Sequence, residues 1–244
     1  MNPKAEDGIL SIPKQGPVIA IDGPAGTGKS SAARRLADAL HFVHVDTGAL
    51  YRAIAFLTLE SLAGTPESES ARAVEVARSI HLEFKRLPQK NPSNRVFANG
   101  KDVTSLIRTP EVTMAASRIS AIPEVRAALL GLQRRLGCAG RSILEGRDIG
   151  TVIFPDADIK FFLIASIDER TKRRLSEIEA SGADAPSYEE LKTQMIERDR
   201  TDSTRSVAPL KKAKEAVEVD TSQLTLDQVV SFMETEVRKR ISHV

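Results

Sequence analysis

The chain has 244 residues, 41% hydrophobic and 28% charged, with Lys plus Arg at 35 against Asp plus Glu at 33 for a formal net charge of +2. That length is the upper end for one compact domain, and the apolar content fills a substantial core, so one core with insertions is expected rather than two domains. The balanced charge argues against bulk attraction to nucleic acid or an anionic membrane, and no stretch approaches the ~20 apolar residues of a membrane span.

Residues 1–16 lack the continuous apolar core of a signal peptide and read as a disordered, soluble tail. The apolar run Val18 to Asp22 then leads into Gly23-Pro24-Ala25-Gly26-Thr27-Gly28-Lys29-Ser30, an uninterrupted GxxxxGK[ST] phosphate-binding loop. Glycines let backbone N–H groups turn inward around phosphate oxygens. The following helix presents its positive end, and Lys29 and Ser30 are spaced to reach terminal phosphates and a Mg²⁺ ion. Ala33, Leu36, Ala37 and Leu40 fall at i, i+3, i+4 and i+7, so an amphipathic helix opens at the loop. A second strand, Phe42 to Asp46, is followed by Asp46-Thr47-Gly48-Ala49-Leu50-Tyr51-Arg52, and Arg52 there is either a solvated helix arginine or an anion ligand.

Residues 67–110 break the pattern. Ile80, Leu82 and Phe84 alternate with His81, Glu83 and Lys85, and Asn99-Gly100 is a two-residue hairpin signal, so a small antiparallel insert is expected. Three more apolar runs, Ser142 to Glu145, Lys160 to Ile164 and Ala216 to Asp220, complete five short buried strands separated mostly by helical patterns. The expected class is α/β, a parallel sheet with helices on both faces. Ligands in such sheets bind at the strands' carboxyl ends, which here carry Asp22, Asp46, Glu145 with Arg147 and Asp148, and Asp220. The charged stretch 170–209, with its Gly and Pro, reads as mobile rather than core. Thr225 and Gln228 form a capping box for a last helix whose stripe is Leu226, Val229, Val230, Met233 and Val237. The single Cys138 rules out an internal disulfide, suits a reducing cytosol and reads as a packing residue. His41, His44, His81 and His243 show no metal-ligand spacing, and His44 is expected at the core or its edge.

A phosphate loop alone does not separate a kinase from a switch GTPase, a motor or a helicase. The chain lacks an Asn-Lys-x-Asp base-reading motif and an apolar run ending in paired acids. It has arginines instead: Arg52, Arg126, Arg147, Arg198, Arg205, and Arg170, Arg173 and Arg174. Arg198, Asp202 and Arg205 at i, i+4 and i+7 share a helical face, either as a surface ion-pair ladder or as a site. Arg170 and Arg174 could swing onto transferring phosphates as in-chain arginine fingers, or simply face solvent.

From about Pro17 onward the chain resembles the bacterial cytidylate (CMP/dCMP) kinases of the nucleoside monophosphate kinase family. The resemblance is carried by residues 21–30, by 46–52, by Glu145-Gly146-Arg147-Asp148-Ile149-Gly150-Thr151-Val152, and by Glu197-Arg198-Asp199 with Arg205 and Val207-Ala208-Pro209-Leu210. Ser is common in the family at Thr47, and Asp at Glu145; both differences preserve the chemistry. The resemblance implies a P-loop NTPase fold over 17–244, a five-stranded parallel sheet flanked by helices, with a monophosphate-binding insert at about 67–110 and a short lid at about 170–209. It implies a cytoplasmic monomer that uses ATP with Mg²⁺ to phosphorylate CMP or dCMP.

Carried over by position, ATP would lie on Gly23, Pro24, Ala25, Gly26, Thr27, Gly28, Lys29, Ser30 and Ser31, with Mg²⁺ held by Ser30, partly through water. The monophosphate-binding positions are Thr47, Arg52, Ser117, Arg126, Arg147, Asp148, Arg198, Asp202 and Arg205. Cytosine offers an amino donor at N4 and acceptors at N3 and O2, which a carboxylate from Asp148, a guanidinium from Arg126 and a hydroxyl from Ser117 complement. Uracil mismatches two of these contacts, for a preference of roughly 100-fold or more. Asp202 and Arg198 would hold the sugar hydroxyls while Arg52, Arg147 and Arg205 clamp the 5′-phosphate. Because a nucleoside monophosphate has its second pKa near about 6, it is already an anionic nucleophile and needs no general base. Lys29, Arg147, Arg198, Arg170 and Arg174 are then the expected catalytic side chains. The alternatives left open are a kinase for UMP, dTMP or shikimate, and a P-loop switch or RNA-binding ATPase; few aromatics for base stacking and the even charge weigh against nucleic-acid binding.

Overall fold

A strand buried on both faces has no reason to alternate polar and apolar residues, and β1 (Val18–Asp22) is buried at every position. In the computed structural model, which describes residues 12–62, 68–86, 94–180, 182 and 184–241, it is followed by α1 (Lys29–Leu40), β2 (Val43–Asp46), α2 (Thr47–Leu62) and α3 (Glu69–Ser79). Then come β3 (Leu82–Arg86), β4 (Asn94–Ala98), β5 (Lys101–Asp102), a 3-10 turn (Leu106–Arg108), α4 (Pro110–Ile119) and α5 (Pro123–Cys138). The last third comprises β6 (Ser142–Gly146), a π-helical turn (Ile149–Ile153), β7 (Ile159–Ile164), α6 (Ile167–Ala180), α7 (Tyr188–Thr204), β8 (Val217–Asp220) and α8 (Leu226–Arg240).

The expected five strands form one parallel sheet in the order β2-β6-β1-β7-β8. The α/β class is as expected. The described residues divide into two compact units, Val45–Leu136 and Pro13–His44 with Gly137–Val244, each with an apolar core of its own.

In the parallel-sheet unit, Ala33, Leu36, Ala37 and Leu40 of α1 bury against Ile19, Ile21, Ile143, Phe161 and Leu163, and Val229, Val230, Met233 and Val237 of α8 close the same core. The stripes expected for both helices are the ones buried. The capping box of Thr225 and Gln228 starts α8. Residues 1–11 of the expected tail lie outside the described residues. At its end Lys14 Nζ donates to Asp156 O (2.8 Å) and Asp158 Oδ2 (3.2 Å), and Gln15 N–H donates to Cys138 O, so 14 and 15 are anchored rather than disordered.

The other unit packs Leu50, Ala53 and Ile54 of α2 with Ile119, Val125 and Leu129, and with Leu82, Val96 and Ala98 of an antiparallel sheet ordered β3-β4-β5. Asn99 (φ 50°) and Gly100 (φ 81°) turn β4 into β5 with both residues left-handed, as the Asn-Gly signal requires. Residues 69–79, expected within the antiparallel insert, are the helix α3 instead. Its buried positions are only Ala73 and Ala77, which give a weak apolar periodicity among charged neighbours, and Ser68 caps it.

The stretch 170–209 also departs from its expectation. Ile178, Leu191 and Met195 are buried together between α6 and α7, with Ile167 and Leu175 packed against them, and Arg170 and Thr171 are buried as well. No helix among the described residues is long and apolar enough to cross a membrane.

One buried carboxylate ties the sheet to the turn after β6. Asp22, the last residue of β1, accepts from the Ile149 N–H (2.9 Å) and the Gly150 N–H (2.7 Å). Burial raises its pKa to about 6; the two backbone donors and Lys29 oppose that rise, and the nearby Asp148 adds to it. A raised carboxyl stabilises the fold fully below its unfolded pKa of 3.8, and that stabilisation is lost as the pH rises through about 6. Relative to Asp22→Asn, which does not ionise, the wild type should lose about 2 kcal/mol of stability between pH of about 4.5 and about 7.5. Urea unfolding of both proteins at the two pH values measures this, and a pH-independent difference would contradict it.

Candidate active site

The phosphate loop is shaped by close approach. Gly23 lies so near β7 that a Cβ there would sit 2.1 Å from the Leu163 carbonyl oxygen. Gly28 (φ 83°) is the left-handed N-cap of α1, and no acidic side chain occupies the first turn to cancel the helix's positive end. From outside, Arg170 Nη1 donates to Ala25 O (3.1 Å) and Thr221 Oγ1 donates to Thr27 O (3.0 Å). Inside, the buried Lys29 Nζ donates to Pro24 O and to Thr27 Oγ1 (3.3 Å), while Ser31 lies half-buried on α1. Burial first, then repulsion from Arg147 and Arg198, push the Lys29 pKa well below the ordinary lysine value; Glu145 and Asp22 pull the other way. An anionic ligand beside Lys29 would supply negative charge that this surrounding lacks.

Beside Lys29, Ser30 Oγ donates to Glu145 Oε2 at 2.6 Å, and the other carboxylate oxygen, Oε1, lies 2.9 Å from His44 Nε2. The sequence marks Glu145 as charge at a strand end without giving it a partner, and it leaves His44 as a core or edge residue. Neither its link to Ser30 nor that to His44 has a sequence signal, because both partners come from elements far away in the chain. Glu145 is the member of the site that a search for an acid ending a β-strand could have found.

A second group of charges gathers around the end of α7. Arg147 Nε donates to Asp202 Oδ2 (2.8 Å), and Arg205 reaches both Asp148 Oδ1 (3.5 Å) and Asp202 Oδ1 (3.8 Å) while its Nε donates to Ala208 O (2.7 Å). Burial pushes the Asp202 carboxyl up, but Arg147, Arg198 and Arg205 outweigh it and hold the group below its usual value. The ladder expected on one helical face is not surface decoration. Asp202 is buried, and Arg205, the C-cap residue with ψ 144°, has left the helix, turning back onto Asp148. Three guanidinium groups against two carboxylates, a net of +1, leave this group suited to an anion.

Arg170 and Arg174 do not stand free at the surface as a matched pair. Arg170 is buried, held by Ala165 O, Ala25 O and Asp199 Oδ2 (2.6 Å), which makes it a strut of the phosphate loop in this structure. Arg174 pairs with Glu177 one turn along α6. Arg173 ties α6 to the segment after β8 through Thr221 O (2.6 Å).

The remaining expected residues belong to the Val45–Leu136 unit. Thr47 is buried at the start of α2, where Asp46 accepts from the Ala49 N–H (3.1 Å) and from Arg52 Nη2 (2.7 Å). Arg126 is buried with its guanidinium 5.4 Å from the centre of the Tyr51 ring, and its Nη1 donates to Ser120 O (3.0 Å). Ser117 is half-buried on α4.

The family model for cytidylate kinase matches residues 19–239. A cytidylate kinase from Citrifermentans bemidjiense is 45% identical over 96% of this chain and 98% of its own length. One from Geobacter sulfurreducens is 44% identical over 93% and 95%. A bifunctional pantoate ligase/cytidylate kinase from Synechocystis sp. is 48% identical over 88% of this chain, a match that occupies 41% of that longer protein. With one family model covering most of its length and relatives at these identities, the chain belongs to the cytidylate kinase family.

Proposed function

We propose that this enzyme transfers the γ-phosphoryl group of ATP to CMP or dCMP, giving ADP and CDP or dCDP, in the cytoplasm. The observation that carries the reading is the group Arg147, Asp148, Arg198, Asp202 and Arg205, with its two carboxylates buried and its three arginines half-buried, in the same unit as a complete phosphate loop. A half-buried charge cluster with surplus positive charge favours an anionic ligand, and its carboxylates can receive the hydroxyls and amino group of a nucleotide.

The loop residues 23–31 are proposed to bind the ATP phosphates through backbone N–H groups, the α1 N-terminus and the Lys29 ammonium. Ser30 suits a divalent cation. Its hydroxyl proton is committed to Glu145, so its oxygen is left to accept, and the ionised Glu145 behind it adds negative charge. When bound with ATP, Mg²⁺ neutralises charge on the phosphate oxygens. Arg147 and Arg205 are proposed to hold the acceptor 5′-phosphate, with Asp202 and Arg198 on the sugar and Asp148 on the cytosine amino group. Thr47, Arg52, Ser117 and Arg126 are assigned to the acceptor by their motif positions. No side chain is needed to remove a proton, since the acceptor phosphate is already ionised. Positioning and charge compensation therefore carry the rate, with Arg174 left to act on the transferring group and Arg170 acting through the loop it holds.

Two outcomes test this. With ATP and Mg²⁺ in a coupled ADP-release assay, CMP and dCMP should be strong acceptors, and UMP, AMP and shikimate weak ones. Asp148→Asn, whose amide can donate to uracil O4, should lose at least about tenfold with CMP and narrow the CMP-to-UMP ratio; an unchanged ratio would remove Asp148 from base reading. Lys29→Ala should lower kcat by on the order of 100-fold or more, because it deletes the one cation inside the phosphate loop. Near-normal turnover in that variant would remove the loop from the chemistry.

A further inference from the structure

The contact of Glu145 with His44 touches none of the groups proposed to meet either nucleotide directly. Glu145 is a strand residue, 5% exposed at its side chain, and both of its oxygens are engaged: Oε2 by the Ser30 hydroxyl at 2.6 Å and Oε1 by His44 Nε2 at 2.9 Å. A carboxylate oxygen accepts, so the His44 tautomer that bonds it is the one that donates from Nε2. Glutamate has three side-chain torsions, and its last one is broad. A carboxylate with Oε1 released is freer to turn about that torsion and let go of the hydroxyl proton. A second anchor on the opposite oxygen removes this freedom. His44 sits one strand away on β2, with its side chain 12% exposed, placed to be that anchor.

We propose that His44 is a positioning residue that acts through Glu145, holding the carboxylate so that the Ser30 hydroxyl proton stays on it and the Ser30 oxygen stays free to accept the nucleotide's divalent cation. The relay is Nε2–H of His44 to Oε1, and Oγ–H of Ser30 to Oε2. Groups that orient a metal-binding side chain from behind, through a hydrogen bond, tune affinity for the metal by about tenfold or more. The proposal rests on the reading of Ser30 as a cation ligand.

The test uses Mn²⁺ as the probe, titrated into the ATP-saturated full-length protein and followed by electron paramagnetic resonance, with steady-state kinetics alongside. His44→Leu, which keeps bulk but cannot donate, should weaken Mn²⁺ binding about tenfold. It should leave the KM for CMP unchanged. His44→Gln, whose amide nitrogen reaches close to the position of Nε2, should restore Mn²⁺ affinity close to wild type. A merely structural role would lower thermal stability in both variants without separating them in Mn²⁺ affinity, and that result overturns the proposal, as does wild-type binding in His44→Leu. If His44→Leu does not fold, His44→Asn replaces it: its amide stops short of Glu145, so wild-type Mn²⁺ affinity there also overturns the proposal. Ser30→Ala separates the two readings. Unchanged Mn²⁺ affinity in Ser30→Ala removes Ser30 as a ligand, whereas a loss there with no loss in His44→Leu removes only the role of His44.

Discussion

A lysine ammonium buried at the first position of α1, behind the phosphate loop, is the constraint around which the Pro13–His44 and Gly137–Val244 unit is arranged. Desolvation pulls the Lys29 pKa well below the ordinary lysine value, and the guanidinium groups of Arg147 and Arg198 add to that pressure. The protein does not offset this with a close ion pair. Lys29 is given only a backbone carbonyl and a threonine hydroxyl as direct partners, with Glu145 and Asp22 acting at longer range. The resulting site is short of negative charge, and the phosphates of a nucleotide are what would make up the deficit. Rigidity has to come from outside the loop, because a loop lined with inward N–H groups has little to pack against. Gly23 against Leu163, Arg170 on Ala25 and Thr221 on Thr27 supply it.

The carboxylates of this unit divide into distinct tasks according to what each one accepts. Asp22 is engaged by two backbone N–H groups and fixes the turn after β6 from the end of β1. Glu145 is engaged by Ser30 and His44. Asp202 holds Arg147 and Arg205 with its two oxygens, and Asp148 meets Arg205 from the other side. Their environments push them apart: burial raises Asp22 to about 6, while the arginines hold Asp202 below its usual value. A carboxylate held below its usual pKa by arginines stays an acceptor of hydrogen bonds at neutral pH. One that sits near 6 and is saturated by the backbone is a structural tie.

The strands, the phosphate loop, α1 and α8 were legible in the sequence because each carries a strong local signal: a continuous apolar run, glycines at fixed spacing, a clean 3.6-residue stripe, a capping box. The hairpin at Asn99-Gly100 was legible for the same reason, since only a short list of residues tolerates two successive left-handed positions. The helix α3 was not, as its buried face is two alanines. The packing of 170–209 was hidden because Ile178, Leu191 and Met195 are separated by charged residues and meet only when two helices fold together. The phosphate loop was legible from spacing, and the family motifs are what single out Arg147, Asp148, Asp202 and Arg205, which the fold gathers into one group. Glu145's links to Ser30 and His44 join positions 101 and 115 residues apart, and no local pattern reports a contact of that span.

The placement of Arg170 bears on how a charged lid can work at all. A swinging arginine must pay for desolvation each time it closes, and it must be free in the open form. Arg170 is already buried, and its guanidinium spans Ala165 O, Ala25 O and Asp199, so α6 and α7 are joined through it to the phosphate loop. Moving it would break a charge-assisted pair and release the loop backbone it holds. The physical consequence is that loop shape and the packing of α6 on α7 are coupled through one side chain. Arg174, paired only with Glu177 on its own helix and partly exposed, carries no such restraint. Of the two arginines at this i, i+4 spacing, the buried one is tied to the backbone of the phosphate loop, and the partly exposed one is paired within its own helix.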